Sequence, residues 1–491
     1  MWILLSASLL VLSFPKFELS ILAWVGLVPL FFALDGKTPG QAFRIAYFCG
    51  VLFFGATIWW FGHVTIAGAI AAILYLALYF GMFGIGYSLF AKYNFITKLF
   101  LLPSLWVALE FARSYLLSGF DWVSLSHSQY KNLIFIQIAD ISGVFGISFL
   151  VVMVNVFIKE RFNHIPFTKW DVVPVCILLV VLGYGVFRLN GVQPSLSGMR
   201  VALVQANVPQ HLKWNKIAWA GIIQKHLDLS EEAARENPDL IIWPETAFPG
   251  FIGEDDEYFS ALQYFVKRIN IPILFGAVVK EEGRYYNGAL LLSPDGMIKQ
   301  QYHKHHLVPF GEFIPFRTHF PFLSDIIPIA DFSRGEGYTV FSSDTKKFST
   351  LICFEDTLGR LARGFVNNGA QMLINITNDA WFEDTAAPWM HMQSAVFRTV
   401  ENRRGLVRAS NTGVSGFIDA TGKIQYLLQN AQGKNTFVKG YAVGEVSFRK
   451  EKTFYTKFGD VFAYLCFACI LGGVIGLNLR GTFSCPKNQL E

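Results

Sequence analysis

The chain has 491 residues, of which 53% are hydrophobic and only 16% are charged, and 48 of them are phenylalanine. This composition excludes an ordinary soluble globular protein and indicates a membrane protein with room for two or three domains. The net charge of +5 is mild, so it gives no reason to expect a nucleic-acid partner.

Apolar segments long enough, or nearly so, to cross a bilayer fill the first 190 residues, and one more follows near the C-terminus. The predicted spans are residues 1–14, 19–34, 45–62, 65–90, 99–118, 133–158, 172–189 and 460–479. We therefore predict a transmembrane helical domain of about seven spans over residues 1–190 and a C-terminal transmembrane helix over residues 458–480. A cleaved signal peptide is not expected, because nothing basic precedes the first apolar run.

Lysine and arginine are distributed unevenly between the connecting loops. With the N-terminus in the cytoplasm, the outside loops carry only Lys16, Arg113 and Lys131. The inside loops and the tail carry Lys37, Arg44, Lys92, Lys98, Lys159, Arg161, Lys169, Arg480 and Lys487. The positive-inside rule then places the chain after Leu189 outside the cytoplasm, and residues 481–491 form a cytoplasmic tail.

Residues 198–450 differ from the flanking segments, because short apolar runs rich in β-formers alternate there with amphipathic stretches. The predicted strands are residues 201–205, 240–243, 273–277, 289–292, 350–353, 372–375, 405–408 and 414–418. The predicted helices are residues 217–236, 256–269, 357–368 and 388–403. This alternation indicates an extracytoplasmic α/β domain in which helices cover sheet layers.

An apolar segment at residues 313–329 does not fit this alternation, because prolines at 315, 321 and 328 forbid a continuous helix or a central strand. It is interpreted either as a loop folded onto the core or as a lid that enters the outer leaflet. In the second interpretation Phe316, Phe320 and Phe322 would help to shield the site from water.

Three polar side chains follow predicted strands of the α/β domain. Glu245 follows residues 240–243, Lys304 follows a strand-like run at residues 299–302, and Cys353 follows the buried pair Leu351 and Ile352. Cys353 is also the only cysteine between the apolar segments, so no disulfide can form within this domain. Because groups from several strand ends commonly converge on one site, we expect these three to meet.

These residue types suit nucleophilic catalysis by a thiol. The carboxylate of Glu245 can take the proton of Cys353 as a general base and return it to a leaving group. Lys304 is expected to stay charged, to lower the pKa of the thiol and, with the backbone N–H of Phe354, to stabilise an oxyanion. Each residue also has a non-catalytic interpretation. Cys353 could be a core residue, Glu245 could be paired locally, and Lys304 could belong to a solvated basic run.

Two other chemistries are weaker interpretations of the same sequence. The run from His303 to His306, with His391 as a remote partner, suggests a metal, but no carboxylate or cysteine completes a ligand spacing. A serine triad lacks a Gly-x-Ser-x-Gly motif. We therefore expect neither a metal nor a cofactor.

Several motifs around these residues resemble those of the nitrilase superfamily, and more closely those of its membrane-embedded branch, the apolipoprotein N-acyltransferase family. They are residues 205–210 with Trp214, residues 243–246, the run Lys304 to Glu312, residues 352–355, residues 378–382, residues 391–398 and residues 401–413. The Leu-Val-Pro-Phe-Gly-Glu run ending at Glu312 and the flanking apolar segments distinguish this branch from soluble nitrilases.

The resemblance implies a multi-span α-helical membrane domain joined to a nitrilase-like αββα sandwich, and a Glu245–Lys304–Cys353 triad. It implies that Cys353 takes an acyl chain from a phospholipid as a thioester and passes it to the α-amino group of a diacylglyceryl-cysteine at a lipoprotein N-terminus. It places the protein in the bacterial inner membrane with its catalytic domain on the periplasmic face.

The same resemblance assigns supporting roles outside the triad. Glu312 and Glu355 match family residues that support the site, and Trp214 matches one in a mobile loop on the substrate side. The family often has tyrosine where this chain has Phe354, so no role of that hydroxyl carries over.

Two other functions are open alternatives. One is a membrane-tethered nitrilase-like amidase that hydrolyses a small amide, distinguished by its use of water instead of an amine as acceptor. The other is a catalytically silent scaffold, against which the intact Glu245, Lys304 and Cys353 argue.

Overall fold

A computed structural model describes residues 1–162, 169–191, 198–309, 311–314, 331–343 and 345–482. Within it the chain divides into two compact units, one formed by residues 1–187 with the C-terminal helix and the other by residues 188–457. Most of the proposed lid, including Phe316, Phe320 and Phe322, lies outside the described residues, as does the predicted tail from residue 483 onward.

The regular secondary structure of the first unit is helical in the residues that the structure describes. Its α-helices are Trp2–Leu12, Ala23–Gly26, Val28–Leu34, Pro39–Thr57, Ile66–Phe90, Phe95–Tyr115, Leu133–Ile136, Ala139–Ser142, Val144–Phe162, Val172–Asn190 and Val461–Thr482. By length and apolar composition, the stretches Ile66–Phe90, Phe95–Ser118 and Lys169–Asn190 are able to cross a membrane. The full number of crossings and their orientation stay predictions.

Two segments predicted as single helices are interrupted. Residues 19–34 form a short 3₁₀ turn followed by two short α-helices, and residues 133–158 are divided among three helices. In the second case Gly143 has φ +62° and separates Ala139–Ser142 from Val144–Phe162. That left-handed conformation ends a helix and is open to glycine without a steric cost. Hydrophobicity alone does not reveal such a break.

The second unit contains two sheets in the described residues. The strands in chain order are β1 Gly198–Gln205, β2 Leu240–Ile242, β3 Phe251–Ile252, β4 Ile273–Glu281, β5 Arg284–Leu292, β6 Ile298–His303, β7 Phe341–Ser343, β8 Lys346–Ile352, β9 Met372–Thr377, β10 Leu406–Ser410, β11 Gly416–Ile418, β12 Ile424–Leu427 and β13 Gly440–Ser447. The first sheet has the order β13-β1-β2-β4-β5-β6, with β3 beside β4, and the second has the order β12-β11-β10-β9-β8-β7.

Each sheet has a parallel centre and antiparallel edges. In the first sheet β1, β2 and β4 are parallel, whereas β13, β5 and β6 run antiparallel to their neighbours. In the second sheet β8, β9 and β10 are parallel. Parallel strands buried on both faces are typically continuous apolar runs, which is why the sequence predicts these central strands well.

Helices cover the outer face of each sheet, which gives the αββα sandwich that the family resemblance implies. They are Lys216–Ala234 and Asp256–Ile269 on the first sheet, and Gly359–Asn367 and Ala387–Asn402 on the second. Ala202 and Val204 of β1 pack in one apolar core with Trp219 of the first helix. The alternate residue Leu203 is also fully buried, on the face that meets the second sheet.

Candidate active site

The positions of Glu245 and Lys304 follow from the order of strands in the first sheet. Glu245 lies three residues after β2, and Lys304 comes directly after β6. The Lys304 Nζ is 3.5 Å from Glu245 Oε1 and 2.8 Å from Glu312 Oε1, and the Lys304 side chain is only 1% exposed. The structure therefore brings together the predicted carboxylate, the predicted lysine and the second glutamate.

Asn287 connects these groups, and the sequence analysis did not single it out. It lies on β5, which stands between β4 and β6 in the sheet. Its Nδ2 donates to Glu245 Oε1 and to Glu312 Oε1, each at 2.8 Å. Asparagine is depleted in β-strands, so an asparagine directly before the apolar run 288–292 was the available signal.

The remaining oxygens of the two carboxylates accept bonds from the backbone. Glu245 Oε2 accepts the N–H of Asn378 at 2.9 Å, and Glu312 Oε2 accepts the N–H of Val308 at 2.8 Å. Both carboxylates are thus held in one orientation by groups that cannot rotate away. Such fixed donors are what a preorganised site requires.

The electrostatics of the lysine follow from these neighbours. Burial by itself lowers the pKa of Lys304, but the negative charges of Glu312 and Glu245 outweigh it and raise the pKa well above the usual range. Lys304 therefore stays charged at physiological pH.

Cys353 comes directly after β8 and begins a 3₁₀ turn over Cys353–Thr357, so the strand ends one residue earlier than predicted. Its φ is +53°, a left-handed conformation that few residues with a side chain adopt. Its carbonyl accepts bonds from Asn375 Nδ2 at 3.2 Å and from His391 Nε2 at 3.1 Å. Strain of this kind persists only where the surroundings hold it, and it is common at active sites.

The turn is braced by a buried charged cluster. The ring nitrogens of His391 lie 2.7 Å from Asp356 Oδ1 and 3.0 Å from Asp379 Oδ1, and Arg408 contacts both carboxylates. Burial and Arg408 lower the pKa of His391, but the two aspartates raise it to about 9. His391 is therefore held as a cation that supports the Cys353 turn.

The thiol of Cys353 is close enough to Glu245 and Lys304 for their charges to act on it. Burial raises its pKa well above the usual value, and the negative charge of Glu245 adds to this. Lys304 lowers the pKa, in the direction that the sequence analysis expected, but burial outweighs it. The resting thiol is therefore protonated, and its chemistry needs a base.

Glu355 links the loop after β6 to the end of β8. Its Oε1 accepts the Tyr302 hydroxyl at 2.8 Å and the His305 and His306 N–H groups at 2.7 and 3.0 Å, and its Oε2 accepts the Ile352 N–H at 2.9 Å. Burial raises the pKa of Glu355 to about 7, although these hydrogen bonds oppose the shift. Glu355 thus fixes the spacing between the segments that carry Lys304 and Cys353.

The last two predicted site residues, Trp214 and Phe354, both contact other rings. Trp214 is about half exposed, and its ring lies 6.3 Å from that of Phe251. The ring of Phe354 lies 5.8 Å from that of His306. These two side chains therefore make aromatic contacts, whereas Glu245, Lys304 and Glu312 are joined by hydrogen bonds.

The two helix-covered sheets form a carbon-nitrogen hydrolase domain. The family model described as carbon-nitrogen hydrolase matches residues 200–446, and the model described as apolipoprotein N-acyltransferase N-terminal domain matches residues 6–157.

Curated relatives match nearly the whole chain. The apolipoprotein N-acyltransferase of Geobacter metallireducens is 35% identical over 489 residues, covering 94% of this chain and 92% of that one. The apolipoprotein N-acyltransferase of Chlorobaculum tepidum is 30% identical over 514 residues, covering 96% and 95%. The chain belongs to the apolipoprotein N-acyltransferase family, which confirms the resemblance found in the sequence.

A solved amidase from Nesterenkonia sp. is also similar. It is 18% identical, with a TM-score of 0.40, and the alignment covers 54% of this chain and 94% of that one. A likeness at that level does not bear on what this chain acts on.

Proposed function

We propose that this chain transfers an acyl chain from a membrane phospholipid, through a thioester on Cys353, to the N-terminal α-amino group of the diacylglyceryl-cysteine of bacterial apolipoproteins. The observation that carries the proposal is the buried group of Glu245, Lys304 and Glu312 beside the Cys353 thiol. Family membership supplies the acyl donor and the acceptor.

In the first half-reaction Glu245 takes the thiol proton, and the thiolate attacks the ester carbonyl of the phospholipid. The oxyanion that forms is stabilised by the Lys304 ammonium and the Phe354 backbone N–H. When the carbon–oxygen bond breaks, Glu245 returns the proton to the leaving oxygen. A lysophospholipid departs, and the acyl chain stays on Cys353 as a thioester.

In the second half-reaction the lipoprotein amine attacks the thioester carbonyl, and Glu245 accepts the proton that the amine loses. The carbon–sulfur bond breaks, an amide forms, and the proton returns to Cys353. The cycle is thus ping-pong, and one carboxylate serves as base and acid in both halves. Glu312 and Glu355 hold Lys304 and the Cys353 turn in place, and Trp214 contacts substrate from its exposed loop.

The proposal includes a place in the cell. Residues 1–190 and 458–480 form the membrane domain of a multi-pass inner-membrane protein, residues 198–450 form the catalytic domain on the periplasmic face, and residues 481–491 form a cytoplasmic tail. The uneven distribution of lysine and arginine between the loops supports this orientation.

The test is the intact mass of the full-length protein after incubation with phospholipid, compared between wild type and Cys353→Ala. We expect the wild type to gain one acyl chain that hydroxylamine removes, and the variant to gain none. Addition of a diacylglyceryl lipopeptide should discharge the thioester faster than water does. An unmodified wild type with intact phospholipid would refute acyl transfer and favour the alternative of a small-amide hydrolase.

A further inference from the structure

A second buried lysine lies beside the proposed triad, and nothing in the roles above uses it. Lys213 follows the 3₁₀ turn Gln210–Leu212, and only 6% of its surface is exposed. Lysine is almost never buried to this degree unless it has partners. The Trp219 indole N–H donates to the Lys213 carbonyl at 3.0 Å, which fixes the backbone from which the side chain extends.

The partners of Lys213 are three oxygens of one short turn. Its Nζ donates to the Glu245 carbonyl at 3.1 Å, to the Thr246 carbonyl at 3.2 Å and to Thr246 Oγ1 at 3.0 Å. These three bonds use all three hydrogens of the ammonium group. Lys213 thus binds the backbone that carries Glu245. The Glu245 carboxylate itself is bound by Lys304, Asn287 and the Asn378 N–H.

The turn at Glu245 and Thr246 has a strained backbone that contacts from outside the turn must stabilise. Thr246 has φ +46°, a left-handed conformation that is a genuine outlier for a β-branched residue. On its other side the turn rests on Gly276, where an added Cβ would lie 2.5 Å from the Pro244 carbonyl oxygen and 2.6 Å from the Glu245 Cα. The turn is therefore held between Gly276 and the Lys213 ammonium.

We propose that Lys213 is a positioning residue for the acyl transfer: it holds the strained turn at Glu245 and Thr246 so that the Glu245 carboxylate points at the Cys353 thiol. This inference rests on the proposed function.

The charges around Lys213 are consistent with this role. Burial lowers the pKa of Lys213 to about 8, and the negative charge of Glu245 opposes the shift. Burial lowers the pKa of the nearby His226 to about 4, and the positive charge of Lys213 contributes to that shift. Lys213 is therefore mainly charged at neutral pH, where an ammonium can hold two carbonyls at once.

The test uses the full-length protein, the single-turnover rate of thioester formation from phospholipid, and the dissociation constant of that phospholipid. We expect Lys213→Met to lower the rate roughly tenfold, because a misplacement of about 1 Å at a reacting group can cost up to ~100-fold. The dissociation constant should stay unchanged. The control Lys216→Met removes a lysine three residues away whose Nζ lies over the Trp219 ring, and it should retain the wild-type rate.

A rescue experiment separates positioning from a general loss of stability. Glycine adopts a positive φ without strain, so in a Thr246→Gly background the turn needs less support. We expect the double variant to form the thioester less than about threefold more slowly than Thr246→Gly alone. The two effects would then be non-additive, as is usual for residues in contact. A full tenfold loss in that background, or a wild-type rate for Lys213→Met alone, would overturn the proposal.

Lys213→Gln, which keeps a donor in the buried site, replaces Lys213→Met if the latter does not fold. The effect of Lys213→Gln is then compared between the wild-type and Thr246→Gly backgrounds, with the same criteria. If the wild type forms no thioester, the proposed function fails and this inference fails with it. If the wild type forms a thioester and the Lys213 variants match its rate, only the inference fails.

Discussion

The ion pair of Lys304 and Glu312 offers the sharpest test of how the site is built. Exchanging Glu312→Gln removes the nearer of the two charges on the lysine with almost no change in shape. The ammonium then retains only Glu245, whose Oε1 is 3.5 Å away. The exchange also threatens the bond to the Val308 N–H, because an amide nitrogen in place of Glu312 Oε2 cannot accept it.

The size of the effect follows from the burial of the pair. Breaking a buried ion pair by removing one partner costs about 3–5 kcal/mol, and the remaining Glu245 favours the lower end, about 3 kcal/mol. One kcal/mol shifts Tm by roughly 2–4 °C in a domain of this size, so we expect a loss of roughly 6–12 °C. Thioester formation should also slow, by roughly 100-fold, as Lys304 draws Glu245 away from its position.

The assay is thermal unfolding of the purified full-length protein in detergent, followed by tryptophan fluorescence. Glu236→Gln is a matched control, because Glu236 pairs with Arg200 at 3.3 Å while both side chains are about half exposed. Such an exposed pair contributes about 0–1 kcal/mol. A Tm for Glu312→Gln equal to that of Glu236→Gln, with an unchanged rate of thioester formation, would refute the argument that this buried pair organises the site.

Two further predictions concern groups near the proposed triad. The pKa of Glu355 is raised from 4.5 to about 7 in the folded domain, so the native state binds this proton more tightly and its stability falls as pH rises from about 4.5 to about 7. Glutamine cannot ionise, so Glu355→Gln should remove this decrease of about 3 kcal/mol in the free energy of unfolding, measured by denaturation at a series of pH values. A variant with the same pH dependence as the wild type would contradict the raised pKa of Glu355. Gly276→Ala places a Cβ against the backbone of Pro244 and Glu245, and we expect roughly 100-fold slower thioester formation because the turn must shift. Gly221→Ala is its control, since a Cβ there meets open space, and equal rates in the two variants would show that the turn tolerates the shift.

The sequence by itself determined the elements that depend on local hydrophobic pattern. The central parallel strands are buried on both faces, so they stand out as apolar runs, and β1, β2, β4, β8, β9 and β10 were all predicted. Edge strands such as β12 and β13 were missed because they are partly exposed and carry a weaker pattern. The breaks in residues 19–34 and 133–158 were missed because backbone geometry, and not hydrophobicity, decides them.

The same division applies to the site. Glu245, Lys304 and Cys353 could be proposed from the sequence because a polar residue that follows a buried strand is visible there, and the motifs around them resemble one family. Their spatial relation was only a prediction, since it depends on the order of strands in the sheet. That order places β5 between the strands that carry Glu245 and Lys304, and so makes Asn287 a bridge between them.

Lys213 shows most clearly what only the tertiary structure decided. In sequence it is one lysine in a polar segment before a helix, with the composition of a solvated loop. In the fold it is buried and gives all its hydrogen bonds to a turn 32 and 33 residues away. Local sequence specifies which segments become strands and helices, because that choice depends on neighbouring residues. Which polar groups are enclosed together depends on how the layers pack, and only the folded chain reveals it.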